Sequence, residues 1–189
     1  MISAEKDEFY KNLLKSKMSE KRYYHSLCVA DEAVQFAKEN GADVDKCYLA
    51  GLLHDICKEV NDAENEKTVL NSNLDVCYIE KKTQPLWHAI AGAEFVKNQL
   101  GINDSEIIGA IRYHTVGRKS MTMVEKIIFL ADYVSKDRDY DGVKELRDFC
   151  HKDFKNGMRQ AVSFSIKDLV DKNSLIPVSM IECYNDLAE

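Results

Sequence analysis

Helical periodicity restricts this chain more than any other feature. Apolar residues return at steps of three and four over most of its length. Only Pro85 and Pro177 interrupt the pattern, and no segment alternates polar and apolar residues between hairpin turns. The spacing predicts a first helix over Glu5 to Lys17. Ser19 suits the N-cap of a second, in which His25, Cys28, Val29, Ala33, Phe36 and Ala37 share one inward stripe and Gly41 ends the run. A third is expected from about Asp43 to Lys58, and a short one around Glu64 to Leu70, in a stretch from Val60 to Thr83 that is otherwise hard to read. Pro85 suits the first turn of a helix through Leu100, closed by Gly101; Asp104 or Ser105 caps the next, which carries Ile107, Ile111 and His114. Met123 to Ser135, Val143 to Cys150, Phe154 to Lys172 and Val178 to Leu187 also read as helices. The expectation is an all-α fold, one helical bundle over residues 1–189 with its core over 19–136.

Several polar residues fall where that pattern calls for apolar ones. His54-Asp55 follows Ala50-Gly51-Leu52-Leu53, His25 lies on the stripe of Val29 and Phe36, His88 follows Trp87 in the first turns of an apolar helix, and His114 stands one turn past Ile111. Asp132 breaks the apolar run Ile127 to Ala131. Taken singly, each is a satisfied core histidine or a buried carboxylate accepting backbone hydrogen bonds. An ionised carboxylate on such a face is costly unless paired or bound to metal, and four His with two Asp on inward positions of five helices are hard to explain as separate accidents. Imidazole and carboxylate suit divalent first-row metals such as iron, manganese or zinc, and this set suffices for a two-metal site, in which ions about 3.5–4 Å apart share a hydroxide and clamp a phosphate oxygen. His151, in the charged run Cys150 to Asp153, reads as surface.

The formal charge of −6 supplies no overall attraction for nucleic acid or acidic lipid, so an anionic substrate needs local cations. Arg112, Arg118 and Lys119 flank His114 with Thr115 and the flexible Gly117 between them. Lys58 stands one turn beyond His54, and Arg138 and Arg147 lie further on. Forked guanidinium donors and a lysine point charge suit phosphate oxygens. The six cysteines form no C-x-x-C pair, and neither a signal-peptide core nor a membrane-length apolar run is present, so buried reduced thiols and a soluble, cytoplasmic protein are expected. No nucleophile elbow, phosphate-binding glycine loop or H-E-x-x-H occurs.

The order His25, His54-Asp55, His88, His114, Asp132 resembles the HD-domain metal-dependent phosphohydrolases, in the variant with two extra histidines. The segments Tyr24-His25-Ser26, Ala50 to Lys58, Ala110 to Arg118 and Lys126 to Tyr133 are similar to the YqeK-type group, and the likeness runs from about Ser19 to Leu187. It implies an HD-domain bundle that cleaves diadenosine tetraphosphate symmetrically to two ADP, with two bound iron ions. His25, His54, Asp55 and Asp132 would hold one ion, and His88 and His114 the other, with Asp55 bridging. Thr115, Arg118, Lys58, Arg138 and Arg147 would contact the phosphates, Lys58 and Arg118 stabilising charge while Asp55 or a water moves a proton. Two departures stand out: Ser135-Lys136-Asp137-Arg138 replaces the usual Glu-Pro before the arginine, and Ala89 and Trp87 flank His88 in place of a glycine and an aliphatic residue. Other readings are an HD-domain nucleotidase or cyclic-nucleotide phosphodiesterase, a non-catalytic nucleotide-binding domain, or a purely structural module. The partner expected is a small nucleotide, not nucleic acid or membrane, and a homodimer is one possible assembly.

Overall fold

A computed structural model describes residues 2–188, which form eleven α-helices and, among the described residues, no strand. Local chemistry starts most of them. Ser3 caps α1 (Ala4–Lys17), and Ser19 caps α2 (Glu20–Asn40), its hydroxyl accepting from the Arg22 amide at 3.3 Å. Gly41 closes α2 in the left-handed region at φ 66°. Asp43 caps α3 (Val44–Leu53), Asn61 caps α4 (Asp62–Leu70) and Asp104 caps α7 (Ser105–Tyr113). Thr122 and Glu125 form a reciprocal capping box on α8 (Met123–Val134). Three C-terminal helices follow: α9 (Val143–Lys152), α10 (Phe154–Asp171) and α11 (Val178–Ala188).

The structure departs most from the sequence reading at three places. α3 ends at Leu53 and not at Lys58, because the His54 side chain donates Nδ1–H to the Gly51 carbonyl at 2.7 Å and competes for the acceptor that would continue the ladder; residues 54–59 run on in turns. Pro85 lies in a separate 3-10 turn, Gln84–Leu86, so α6 spans Trp87–Asn98. The hard-to-read stretch contains α5 (Tyr78–Lys82), which local periodicity did not reveal. Tertiary contacts pin it: Arg112 on α7 donates to both carboxylate oxygens of the buried Glu80, at 2.7 and 2.9 Å, and to the Asp75 carbonyl at 2.6 Å.

α3 is the central element, packed on α2 and flanked by α7 and α8. Gly51 allows its approach to α2, since a Cβ there would lie 3.0 Å from the Ala30 Cα. Around it Phe36, Leu52, Leu53, Ile111, Ile127, Ile128 and Leu130 are fully buried, each worth about 1.5–3 kcal/mol of transfer free energy. α10 packs against α8, α9 and α11 beyond this centre. All six cysteines are unpaired, five of them buried and Cys77 half-buried. Among the described residues no helix is long and apolar enough to cross a membrane.

Candidate metal centre

The chain brings its six ligand-type residues together from five helices. His25 sits in α2, His54 and Asp55 leave the end of α3, His88 is in the first turn of α6, His114 leaves the end of α7, and Asp132 occupies the last turn of α8. The four histidines and Asp55 are buried, and successive rings of His25, His54, His114 and His88 meet edge-to-face at 5.3, 5.0 and 5.2 Å.

Backbone and side-chain acceptors set the ring orientations. Nδ1 of His54 bonds the Gly51 carbonyl and Nδ1 of His114 the Ile111 carbonyl, both at 2.7 Å; both rings immediately follow a helix end and both reach back three residues. His25 Nδ1 bonds Asp137 Oδ2 at 2.7 Å. With Nδ1 donating, each ring presents a lone pair at Nε2, the atom that can take a metal. Nε2 of His25 lies 2.9 Å from Asp132 Oδ1; Nε2 of His54, fully buried, has no hydrogen-bond partner. His88 and His114 face each other through Nε2 at 3.2 Å.

Asp55 divides its two oxygens between two histidine pairs. Oδ2 faces His54 at 3.5 Å and His25 at 3.9 Å; Oδ1 faces His88 at 3.3 Å and His114 at 3.6 Å. Burial opposes ionisation of Asp55, but His54, His114 and His88 more than offset it and hold its carboxyl well below the usual range. For Asp132, too, burial is outweighed, by the His25 hydrogen bond and Arg138. Burial beside His114 pushes His88 down to about 3, keeping it neutral. Ionised carboxylates and neutral imidazoles are the states a divalent ion requires. Three donor groups have ligand atoms within 4.8 Å of one another: His25, His54 and Asp55; His54, His114 and Asp132; Asp55, His88 and His114. The orphaned, fully buried Nε2 of His54 fits such an ion, because a lone pair sealed from water otherwise goes uncompensated.

A profile for the HD domain matches residues 22–137, which contain all six of these residues. The whole chain is similar, at 35% identity over 93% of both sequences, to the symmetrical bis(5′-nucleosyl)-tetraphosphatase of Halalkalibacterium halodurans. Its likeness to the Bacillus subtilis protein of the same name is 32%, over 91% of this chain and 92% of the other. This is an HD-domain chain of the symmetrical bis(5′-nucleosyl)-tetraphosphatase family. The crystal structure of a predicted HD superfamily hydrolase involved in NAD metabolism from Clostridium acetobutylicum superposes with a TM-score of 0.91 at 33% identity, covering 100% of this chain and 98% of the other.

The remaining expected site residues of this HD-domain chain separate into two groups. Lys58, Thr115 and Arg138 stand at the centre: Lys58 Nζ is 3.3 Å from both ring nitrogens of His88, and Arg138 pairs with Asp132 while donating Nε–H to its carbonyl at 2.7 Å. The Thr115 hydroxyl is buried without a partner, and Thr115, Asp132 and Arg138 are among the residues that line a cleft of about 990 Å³. Arg118 and Arg147, also expected at the phosphates, are each bonded to protein acceptors, as Arg138 is. Arg118 bonds the buried Glu125 at 2.8 Å and the Lys119 carbonyl at 3.3 Å, and Arg147 bonds the Val134 carbonyl and, at 2.7 Å, that of Ser135. His151 is another correction. It is half-buried, stacked on Phe36 at 4.6 Å, and bonded to Glu32 at 2.9 Å and Glu39 at 2.8 Å.

Sequence reasoning missed Arg22 and Asp137. Arg22 donates to Asp55 Oδ2 at 2.7 Å, and its position one turn before His25 was the available signal. Asp137 stands in the departure from the family's usual Glu-Pro; nothing local ties it to His25, which is 112 residues away in sequence.

Proposed function

We propose that this protein binds two divalent metal ions and hydrolyses diadenosine tetraphosphate symmetrically to two ADP. The observation that carries the reading is the Asp55 carboxylate shared between two histidine pairs, in a chain related over 93% of its length to a symmetrical tetraphosphatase. His25, His54, Asp55 and Asp132 would hold one ion, and His88 and His114, together with Asp55, would hold the second. Iron is the metal the family resemblance implies, with manganese or zinc as alternatives. When bound, the metals supply Lewis acidity, lowering the pKa of water and neutralising phosphate charge.

The chain's own residues do the rest. Arg138 and the Thr115 hydroxyl, which line the cleft with Asp132, bind the chain of phosphates and hold one central phosphorus in line with an attacking water. Lys58, beside His88, stabilises the charge that spreads over the transferring group. The oxygen bridging the two central phosphates leaves with the second ADP; as a phosphate it is a stable anion, and no strong general acid is required. The depressed pKa of Asp55 favours its role as a ligand over that of a proton carrier, so a water takes the proton. Arg118 and Arg147 act by position: the first holds the segment after Thr115 against Glu125, the second holds the end of α8, just past Asp132.

A cytoplasmic location and a single domain over residues 1–189 complete the reading, supported by five buried unpaired thiols and by the packing of α10 on α8. Whether the active form is a homodimer is decided by light scattering. The test of function is metal analysis of the purified protein combined with separation of its products. Two ADP and a bound metal are expected for the wild type, with both lost in His54→Ala and Asp55→Ala. Formation of ATP with AMP, turnover only of nucleoside monophosphates or cyclic nucleotides, or variants that keep metal and rate would overturn the proposal.

A further inference from the structure

Helix α9 lies beyond residue 137, where the HD-domain match ends, yet two of its side chains reach the helices that carry His25 and Asp132. Arg147 donates to the Val134 carbonyl and, at 2.7 Å, to that of Ser135, just past Asp132 on α8. His151 stands one turn further along the same face of α9. Its ring stacks on Phe36 of α2 at 4.6 Å, and its nitrogens meet two more α2 side chains: Nε2 faces Glu32 at 2.9 Å and Nδ1 faces Glu39 at 2.8 Å. These contacts close a circuit that begins and ends on α2. Ser135 is fully buried; Arg147 holds its carbonyl, and its hydroxyl donates to Asp137 Oδ1 at 2.7 Å. Asp137 Oδ2 in turn accepts from His25 Nδ1 at 2.7 Å. His25 and Glu32 lie about two turns apart on one helix, so α9 ties the loop that orients His25 back to the helix that carries it.

The ring between the two glutamates is an imidazolium. A neutral imidazole has one N–H and would set the lone pair of its other nitrogen against a carboxylate; only the doubly protonated ring donates to both. Burial alone would lower the His151 pKa, and Glu39 and Glu32 raise it above the ordinary value. Burial raises Glu32 as well, against the pull of His151 and of Arg147, which faces it from α9. The neighbouring Cys150 thiol, pushed up to about 12 by burial and Glu32, stays neutral where His151 titrates. From α10 comes an uncharged ring, Phe154, edge-on to Phe36 at 5.5 Å.

We propose that His151 is a positioning residue for the metal centre, a proton-dependent brace that acts on the His25 ring through Arg147, Ser135 and Asp137. This rests on the metal site proposed above. With His151 protonated, α9 is bound to α2 and the His25 Nε2 is held facing Asp132. When the proton leaves, one of the two bonds to α2 is lost and the loop after α8 is held less firmly. Because the folded-state pKa is raised, the brace is complete below about 6.5 and is lost as pH rises through the folded-state value.

The test measures manganese affinity by competition with a chelator in wild type, His151→Gln and His151→Arg, with circular dichroism as the check on folding. At about pH 6, His151→Gln is expected to bind manganese more weakly than wild type by roughly 3- to 10-fold, the scale on which a side chain remote from a ligand shifts its site. At about pH 8.5 that difference disappears, while His151→Arg, a fixed cation that can donate to both glutamates, keeps its advantage over His151→Gln. In an Asp137→Ala background His151→Gln adds no further loss, because substitutions along one route are not additive. Equal affinities at the lower pH, a difference that persists unchanged at the higher pH, or full additivity with Asp137→Ala overturns the brace. If His151→Arg binds as weakly as His151→Gln at both pH values, arginine does not fit, and the comparison of wild type with His151→Gln decides alone. A wild type that holds no manganese overturns the metal reading instead. The His25 Nδ1–H resonance of the metal-free protein then decides the brace, upheld if His151→Gln shifts or broadens it and overturned if it does not.

Discussion

Asp137 accepts a hydrogen bond from Nδ1 of His25 at 2.7 Å while its other oxygen accepts from the Ser135 hydroxyl, also at 2.7 Å. The loop after α8 therefore orients a ring on α2, and the Nε2 of that ring faces Asp132 at 2.9 Å. A carboxylate behind a ligating imidazole fixes the tautomer and raises its basicity.

Removing that carboxylate should weaken metal binding without opening the core. Asp137→Ala is expected to lower affinity by roughly 10–100-fold, and Asp137→Asn, which keeps an acceptor, by less. Competition with a chelator of known affinity measures both. Equal affinities in wild type and Asp137→Ala would remove His25 orientation from the account.

The Arg112–Glu80 pair, both partners about 3% exposed, should behave as a buried ion pair. Arg112→Ala leaves Glu80 charged and uncompensated, at an expected cost of about 3–5 kcal/mol, whereas replacing both by apolar residues recovers much of the loss. Urea unfolding of the two single variants and the double variant reads this directly. Because the pair anchors α5, the loss should also raise proteolytic cleavage between residues 71 and 83.

The His151 cluster should make stability fall as pH rises. Burial tends to lower the His151 pKa, but hydrogen bonds and charge from Glu39 and Glu32 more than compensate and raise it above 6.5. The stabilisation is therefore complete below that value and is lost as pH rises through the folded-state pKa. Burial likewise raises Glu32 above 4.5, so its contribution falls in the same direction. The stability difference between wild type and His151→Gln should be larger at about pH 6 than at about pH 8.5. A difference independent of pH would rule the linkage out.

Gly117 is left-handed at φ 64°, and a Cβ there would lie 2.8 Å from Cys183 Sγ on α11. Gly117→Ala combines backbone strain with a steric clash, so a loss of about 1–3 kcal/mol is expected, together with lower activity from a displaced Thr115. In a Cys183→Ala background part of the thermal stability should return, since the nearest obstacle is the thiol. Differential scanning calorimetry of the two variants checks the pair.

How much of this was legible beforehand depended on how local each cause is. Ser19, Asp43, Asp104 and Thr122 act on amides within three residues, and the apolar stripes repeat within one helix, so most helices, their caps and the all-α class follow from the chain read in order. The six ligand-type residues stood out for a related reason: each is polar at a position whose periodicity points inward, which is unfavourable unless something pairs with it. What local periodicity could not contain was the use of long-range partners. α5 is held by an arginine 32 residues away in sequence, His25 is oriented by an aspartate 112 away, and His151 is drawn inward by two glutamates on α2. The same limit governed the cations. A sequence counts Arg118, Arg138 and Arg147 alike, and only packing gives each its neighbours: Glu125 beside Arg118, the end of α8 beside Arg147, and Asp132 beside Arg138, which lines the cleft.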